Sequence, residues 1–216
     1  MKRGLCWVLL AMGSAAALPA LAAEGNWMVR ARAVYIDPAN KSEAGSGALN
    51  PTLLPADSIH VSAKTIPEVD ISYFFTKNLA AELILTYPQK HKVSITSGPL
   101  QESIGSFKHL PPTLLLQYHF LPDGRFRPYI GAGINYTRIS SVKLRSNVAG
   151  VDLDLERDSV GGALQAGLDM KLGDNLYLNF DIKKVLIDAD VKLNGAKVSK
   201  VKVDPLLVGI GLGWRF

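Results

Sequence analysis

Large apolar residues take every second position at the end of this chain. From Leu206 to Phe216 the even positions read Leu, Val, Ile, Leu, Trp and Phe, and the odd positions from Leu207 to Arg215 read Leu, Gly, Gly, Gly and Arg. Side chains two apart on a strand share a face, so the segment predicts a strand with one apolar face and one small or polar face. A soluble sandwich strand can alternate in the same way. Trp214 and Phe216, crowded at the end of the apolar face, favour a strand whose aromatics sit at a membrane interface. Seven more windows alternate, at about 26–36, 66–75, 79–87, 109–120, 126–139, 162–170 and 176–183. In the first, Trp27, Val29, Ala31, Ala33 and Tyr35 share one face, and Met28, Arg30, Arg32, Val34 and Ile36 the other. No window repeats apolar residues at helical spacing as well as these alternate.

Three short turns, around Thr76-Lys77-Asn78, Leu121-Pro122-Asp123-Gly124-Arg125 and Gly173-Asp174-Asn175, interleave with four long connections at 37–65, 89–108, 140–158 and about 188–202. The long connections read as loops. This rhythm predicts an all-β fold, an eight-stranded antiparallel up-and-down transmembrane β-barrel with turns on the periplasmic side and loops outside. Closure is needed because hydrocarbon offers no partner to the N–H and C=O groups of an open sheet edge.

The N-terminus supports export. Met1-Lys2-Arg3 precedes an apolar run from Leu5 to Leu18 and then Pro19-Ala20-Leu21-Ala22-Ala23. That is the pattern of a secretory signal peptide over 1–22, cut after Ala22 or Ala23, with the barrel over 23–216. Cleavage would remove Cys6, the only cysteine, so the mature chain would carry no disulfide. It would also remove Lys2 and Arg3, lowering the formal net charge from +5 to +3, which makes no case for nucleic acid. After the signal no apolar run approaches the roughly 20 residues of a spanning helix.

Several pieces together resemble the outer membrane protein W family: Leu110-Pro111-Pro112-Thr113, Gln117-Tyr118-His119-Phe120, the run from Pro128 to Tyr136, and the terminal Gly211-Leu212-Gly213-Trp214-Arg215-Phe216. Trp27 and Arg30 with Asp37-Pro38 downstream, and Val203-Asp204-Pro205, fit it as well. The resemblance implies a Gram-negative outer-membrane barrel that passes small hydrophobic molecules, sometimes serving as a receptor for bacteriocins or phage.

An eight-stranded barrel is barely wider than its own inward side chains. Its inward residues sort by depth. A polar plug toward the periplasm is expected from Arg30, Arg32, Gln117, His119, Asp169, Asp181 and Arg215, with Asp70 and Glu82 near mid-depth. Charges of both signs in a narrow lumen should pair; the alternative is ion or proton conduction. Toward the outside, Val34, Ile36, Ile84, Leu115, Val185 and Leu207 form an apolar lining, either a binding funnel or a tightly packed core. Proline cannot donate to a strand ladder. Pro88, Pro111 and Pro112 therefore mark either a lateral gap between the third and fourth strands or a simple bend.

Other patterns carry less. Gly209-x-Gly211-x-Gly213 and Gly131-x-Gly133 open no helix, so small inward residues explain them better than phosphate binding. His60, His91, His109 and His119 are scattered without metal-ligand spacing, and nothing calls for a cofactor. His60-Val61-Ser62 falls in a loop with no identifiable acidic partner, against a lipid-modifying enzyme. Asp152-x-Asp154-x-Glu156 reads as a hairpin continuing above the membrane, with calcium as the sharper alternative. Lys192, Lys197, Lys200 and Lys202 either meet lipopolysaccharide phosphates or keep the last loop soluble. Expected partners are membrane lipid, lipopolysaccharide and small hydrophobic ligands, with bacteriocin or phage at the loops.

Overall fold

The computed structural model describes residues 25–216, so the expected signal peptide, its cleavage site and Cys6 lie outside the described residues. The strands are β1 (Trp27–Asp37), β2 (Lys41–Ser42), β3 (Ile59–Val61), β4 (Lys64–Phe74), β5 (Leu79–Leu85), β6 (Gln89–Ile95), β7 (Glu102–Leu110) and β8 (Thr113–His119). They continue as β9 (Phe126–Ser146), β10 (Val151–Leu155), β11 (Asp158–Lys171), β12 (Leu176–Val185), β13 (Asp188–Leu193), β14 (Ala196–Lys202) and β15 (Leu206–Arg215). Eight of them close a ring of antiparallel neighbours, in the order β1, β4, β5, β8, β9, β11, β12, β15 and back to β1. The seam joins the first strand to the last, from Met28 opposite Arg215 to Asp37 opposite Leu206. The fold is thus the eight-stranded up-and-down barrel that the alternation predicts.

Alternation sets the faces as expected. Ala31, Leu83, Leu114, Ile134, Leu164 and Ile210 point outward and are exposed, while Arg30, Glu82, Gln117 and Asn179 point inward and are fully buried. Aromatics gather at the turn end of the outer face, where Trp27 meets Tyr73 edge-on at 4.8 Å and Tyr118 meets Phe120 at 5.2 Å. Tyr35, Tyr87 and Tyr136 mark the other end of the band. Inside, the glycines make room. A Cβ on Gly167 would lie 2.2 Å from the ring of Tyr129, and one on Gly213 would lie 2.5 Å from Met28.

The four connections expected to be loops are largely strand. β6 pairs with β7, β9 runs on to pair with β7 and then turns back into β10, and β13 pairs with β14. Within the first connection β2 pairs with β14 and β3 with β6. Side chains join these two short strands: Ile59 N–H donates to Ser42 Oγ (3.3 Å) and Val61 N–H to Asn40 Oδ1 (2.7 Å). The wall therefore continues beyond the tyrosines as a second ring.

Its polarity is inverted. Lys90, Lys92, Lys108, Lys143 and Arg145 face out, whereas Val93, Ile95, Phe107, Ile139 and Leu144 face in and are buried. Above the tyrosines water replaces hydrocarbon outside, so the apolar set belongs inside. A search for apolar-outward strands passes over this pattern.

Candidate functional site

The floor of the barrel is a single ion-pair network. β1 contributes two arginines on its inward face. The guanidinium of Arg30 grips Asp169 on β11 with Nε (3.1 Å) and Nη2 (2.6 Å), and donates through Nη1 to Ser72 (2.7 Å) and Glu82 (2.7 Å). Arg32, two residues on, reaches Asp70 at 2.9 Å, Asp181 at 3.6 Å and Glu82 at 3.5 Å, and donates to Asn179 at 2.7 Å. Gln165 donates to Glu82 (2.8 Å) and Asp181 (2.7 Å), and accepts from Gln117 (2.8 Å). Every charged side chain in this set is at most 3 % exposed.

Two expected members stand at its margin. His119 packs at a tilt against the rings of Tyr129 and Phe74, each at 4.9 Å, and lies 3.4 Å from Gln117. Arg215 is buried at the turn end, over the ring of Phe74 (3.9 Å) and donating to the carbonyl of Gly25 (2.8 Å). Glu68 and Lys183 join the network without having been singled out from sequence: Lys183 Nζ hydrogen-bonds Glu68 and lies 3.2 Å from Asp181. Their inward parity was legible. What was missed is depth, because strand tilt in a closed barrel brings residues higher on β4 and β12 level with the arginines.

Above the floor, Val34, Ile36, Ile84, Leu115, Val185 and Leu207 are all buried in one apolar cluster. The cluster does not end at the tyrosines. It continues through the second ring and takes in Leu49, Leu54 and Leu100 from the outer turns. A cavity of about 20 Å³ lies within it, lined by Val61, Val93, Ile104, Phe107, Val191 and Val201 among others. None of the six expected lining residues borders it. The cavity lies one storey above those six residues, among strands of the second ring whose apolar side chains face in. Its free space is about the size of a water molecule or two, well below the roughly 150 Å³ that takes up a benzene, so a larger guest requires its lining to move.

The wall is interrupted where the prolines cluster. The β5–β8 ladder ends at Ile84 opposite Thr113, and the β6–β7 ladder resumes at Gln89 opposite His109. Among the described residues no backbone hydrogen bond links 85–88 to 110–112. Side chains reach the carbonyls around the break from inside. Gln89 Nε2 donates to Tyr87 O (2.8 Å), and Asn135 Nδ2 lies 3.2 Å from both Pro111 O and Pro112 O. A fourth proline, Pro67, flanks the break just beyond the last β4–β5 pair, Val69 opposite Leu85. It lies on β4, outside the two strands between which the gap is expected.

The lesser patterns resolve geometrically. His91 and His109, apparently scattered, stack across the β6–β7 hairpin at 4.8 Å; reading 89–108 as a loop hid this pairing. Among the described residues no cluster of metal-ligating side chains occurs. Ser62 Oγ accepts the Lys92 N–H (3.0 Å) rather than facing His60. Asp152 and Asp154 pair with Arg145 and Arg157, each at 2.8 Å, on the outer surface of a hairpin. Lys197 and Lys200 are held by Asp190 (3.0 Å) and Asp188 (3.1 Å), which raises their pKa through hydrogen bonding. By contrast Lys90 lies directly opposite Lys108 on the outer face.

Comparison with known proteins agrees with this architecture. The chain is 32 % identical to outer membrane protein W of Vibrio cholerae, over the full length of both. It is 29 % identical over 171 residues to a dibenzothiophene metabolism operon protein, PahQ, of Pseudomonas aeruginosa, covering 78 % of this chain and 79 % of the other. Among solved structures it resembles the outer membrane protein OprG of P. aeruginosa, with a TM-score of 0.77 and 29 % identity, covering 89 % of this chain and 97 % of that one. A family model matches residues 23–216, and with those residues accounted for, this chain is a member of the OmpW family of outer-membrane β-barrels.

Proposed function

We propose that this barrel, exported by its N-terminal signal to the outer membrane of a Gram-negative cell, passively admits small hydrophobic molecules from outside and releases them sideways into the membrane. The observation that carries the reading is the pairing of a buried ion-pair network with a continuous apolar lining above it. A solute that dissolves in the chamber meets buried ion pairs below, whose disruption costs several kcal/mol. The wall break beside Pro88, Pro111 and Pro112 is the route that crosses no such layer. A relative whose name ties it to dibenzothiophene metabolism supports an aromatic substrate. Replacing Pro111 and Pro112 with Val or Thr, which can extend the ladder, should slow uptake of a hydrophobic solute into vesicles or cells; unchanged uptake would count against the sideways route.

One observation favours a second reading. The chamber holds only about 20 Å³ of free space, which suits a surface barrel that acts through its outer hairpins, for instance as a bacteriocin or phage receptor, without transport. Deleting the protein separates the two readings, since only the transport reading predicts a loss of hydrophobic-solute uptake. In either case the unpaired outward lysines of β6, β7 and β9 are the positions suited to lipopolysaccharide phosphates.

A further inference from the structure

The inner end of the wall break holds two buried hydrogen-bond acceptors without a partner. Gln89 and His91 lie two apart on β6, so both face inward, and they are 0 % and 1 % exposed. The amide of Gln89 is oriented by its donors: Nε2 bonds Tyr87 O (2.8 Å) and Thr86 Oγ1 (3.1 Å), leaving Oε1 unpartnered. A reversed amide would set oxygen against the Tyr87 carbonyl. His91 Nδ1 lies 2.7 Å from Ser62 O. A carbonyl only accepts, which puts the proton on Nδ1 and leaves a lone pair on Nε2. That nitrogen is unpartnered as well. Burial lowers the imidazole pKa, which keeps it neutral and accepting.

Unsatisfied buried acceptors are uncommon and unfavourable unless something fills the missing bond. The two face the same side of β6. His91 stacks on His109 (4.8 Å) and on Phe107 (6.0 Å), and Phe107 and Val93 line the apolar cavity. Along β6 the inward positions therefore run from the apolar chamber through His91 to Gln89, beside residues 86–88 between β5 and β6. The geometry points to a recognition site for a hydrogen-bond donor here: the favoured solutes are hydrophobic molecules carrying a hydroxyl group, such as phenols and alcohols, whose O–H bonds Gln89 Oε1 or His91 Nε2 while the apolar body stays among Phe107 and its neighbours. This rests on the transport reading and narrows its substrate class.

The test uses naphthalene, 1-naphthol and 1-methoxynaphthalene, which share a ring system; only the naphthol donates. Binding to the full-length mature protein in lipid nanodiscs is measured against protein-free discs. One hydrogen bond of ordinary net strength predicts 1-naphthol to bind about 5–10-fold tighter than naphthalene, with the methyl ether no better than naphthalene. Gln89→Met and His91→Phe, which keep volume and ring stacking, should each reduce the ratio of naphthol to naphthalene affinity. Equal binding of naphthol and its methyl ether, or a preference that survives both variants, overturns the site. Naphthalene binding without any naphthol preference overturns the donor site alone. If no naphthalene-type solute binds, the transport reading falls with it.

Discussion

Arg30 offers the sharpest test of a dry, sealed floor. It is fully buried and holds two carboxylates, Asp169 through two hydrogen bonds and Glu82 through one. Arg30→Met keeps most of the volume and removes the charge. Asp169 would then lose two hydrogen bonds and keep Asn179 Nδ2 at 2.8 Å, whereas Glu82 would lose one and keep Gln165 at 2.8 Å and Arg32 at 3.5 Å. Breaking a buried pair from one side costs about 3–5 kcal/mol, because the stranded charge stays desolvated. With a urea slope of about 2 kcal/mol per molar, the unfolding midpoint in lipid vesicles should fall by about 2 M. Adding Asp169→Asn removes one of the two stranded carboxylates and should return about half of the loss. A water-filled lumen predicts otherwise: a solvated pair is worth about 0–1 kcal/mol, and the double variant would recover nothing. A single-variant cost below about 1 kcal/mol would therefore refute the plug.

Gly167→Ala puts a methyl against Tyr129 and should destabilise the barrel by about 1–3 kcal/mol through overpacking, read from the same urea midpoint; an unchanged midpoint would mean the interior is not crowded there. Acid should loosen the outer hairpin. Burial, and then the neighbouring His91 and Lys64, lower the His109 pKa from 6.5 to about 3. The unfolded hairpin thus binds the proton that the folded one refuses, so stability is full above about pH 6.5 and declines as pH falls toward 3. At pH 5 the loss is about 2 kcal/mol, and hydrogen exchange over 89–110, corrected for intrinsic rates, should report it; equal protection at pH 7.5 and 5 would contradict the burial argument. Lys90→Gln with Lys108→Gln should reduce lipopolysaccharide bound to purified protein, whereas Lys197→Gln with Lys200→Gln should change it little, since those two already hold carboxylates. The reverse order would place the contact on the last hairpin.

Period-two alternation settles much of this protein from the chain alone, because hydrocarbon outside a barrel leaves each spanning residue a binary choice of face. The inward position of Arg30, Asp70, Glu82 and Asp169, and the outward position of Leu114 and Ile210, follow from parity, and so does the count of eight. Parity carries no depth. Only the closed, tilted ring levels Lys183 and Glu68 with Arg32, and only ladder pairing shows that Pro67 borders the same break as Pro111. The upper storey was hidden for a related reason: where water wets both the outer surface and the turns, apolar residues move inside, and Val93 or Leu144 in a charged stretch looks like loop until a partner strand is in place. His91 meets His109, and Gln89 keeps a bare acceptor, through a hairpin register that no single strand encodes. Local sequence chose the face of each residue, and long-range pairing chose its neighbours.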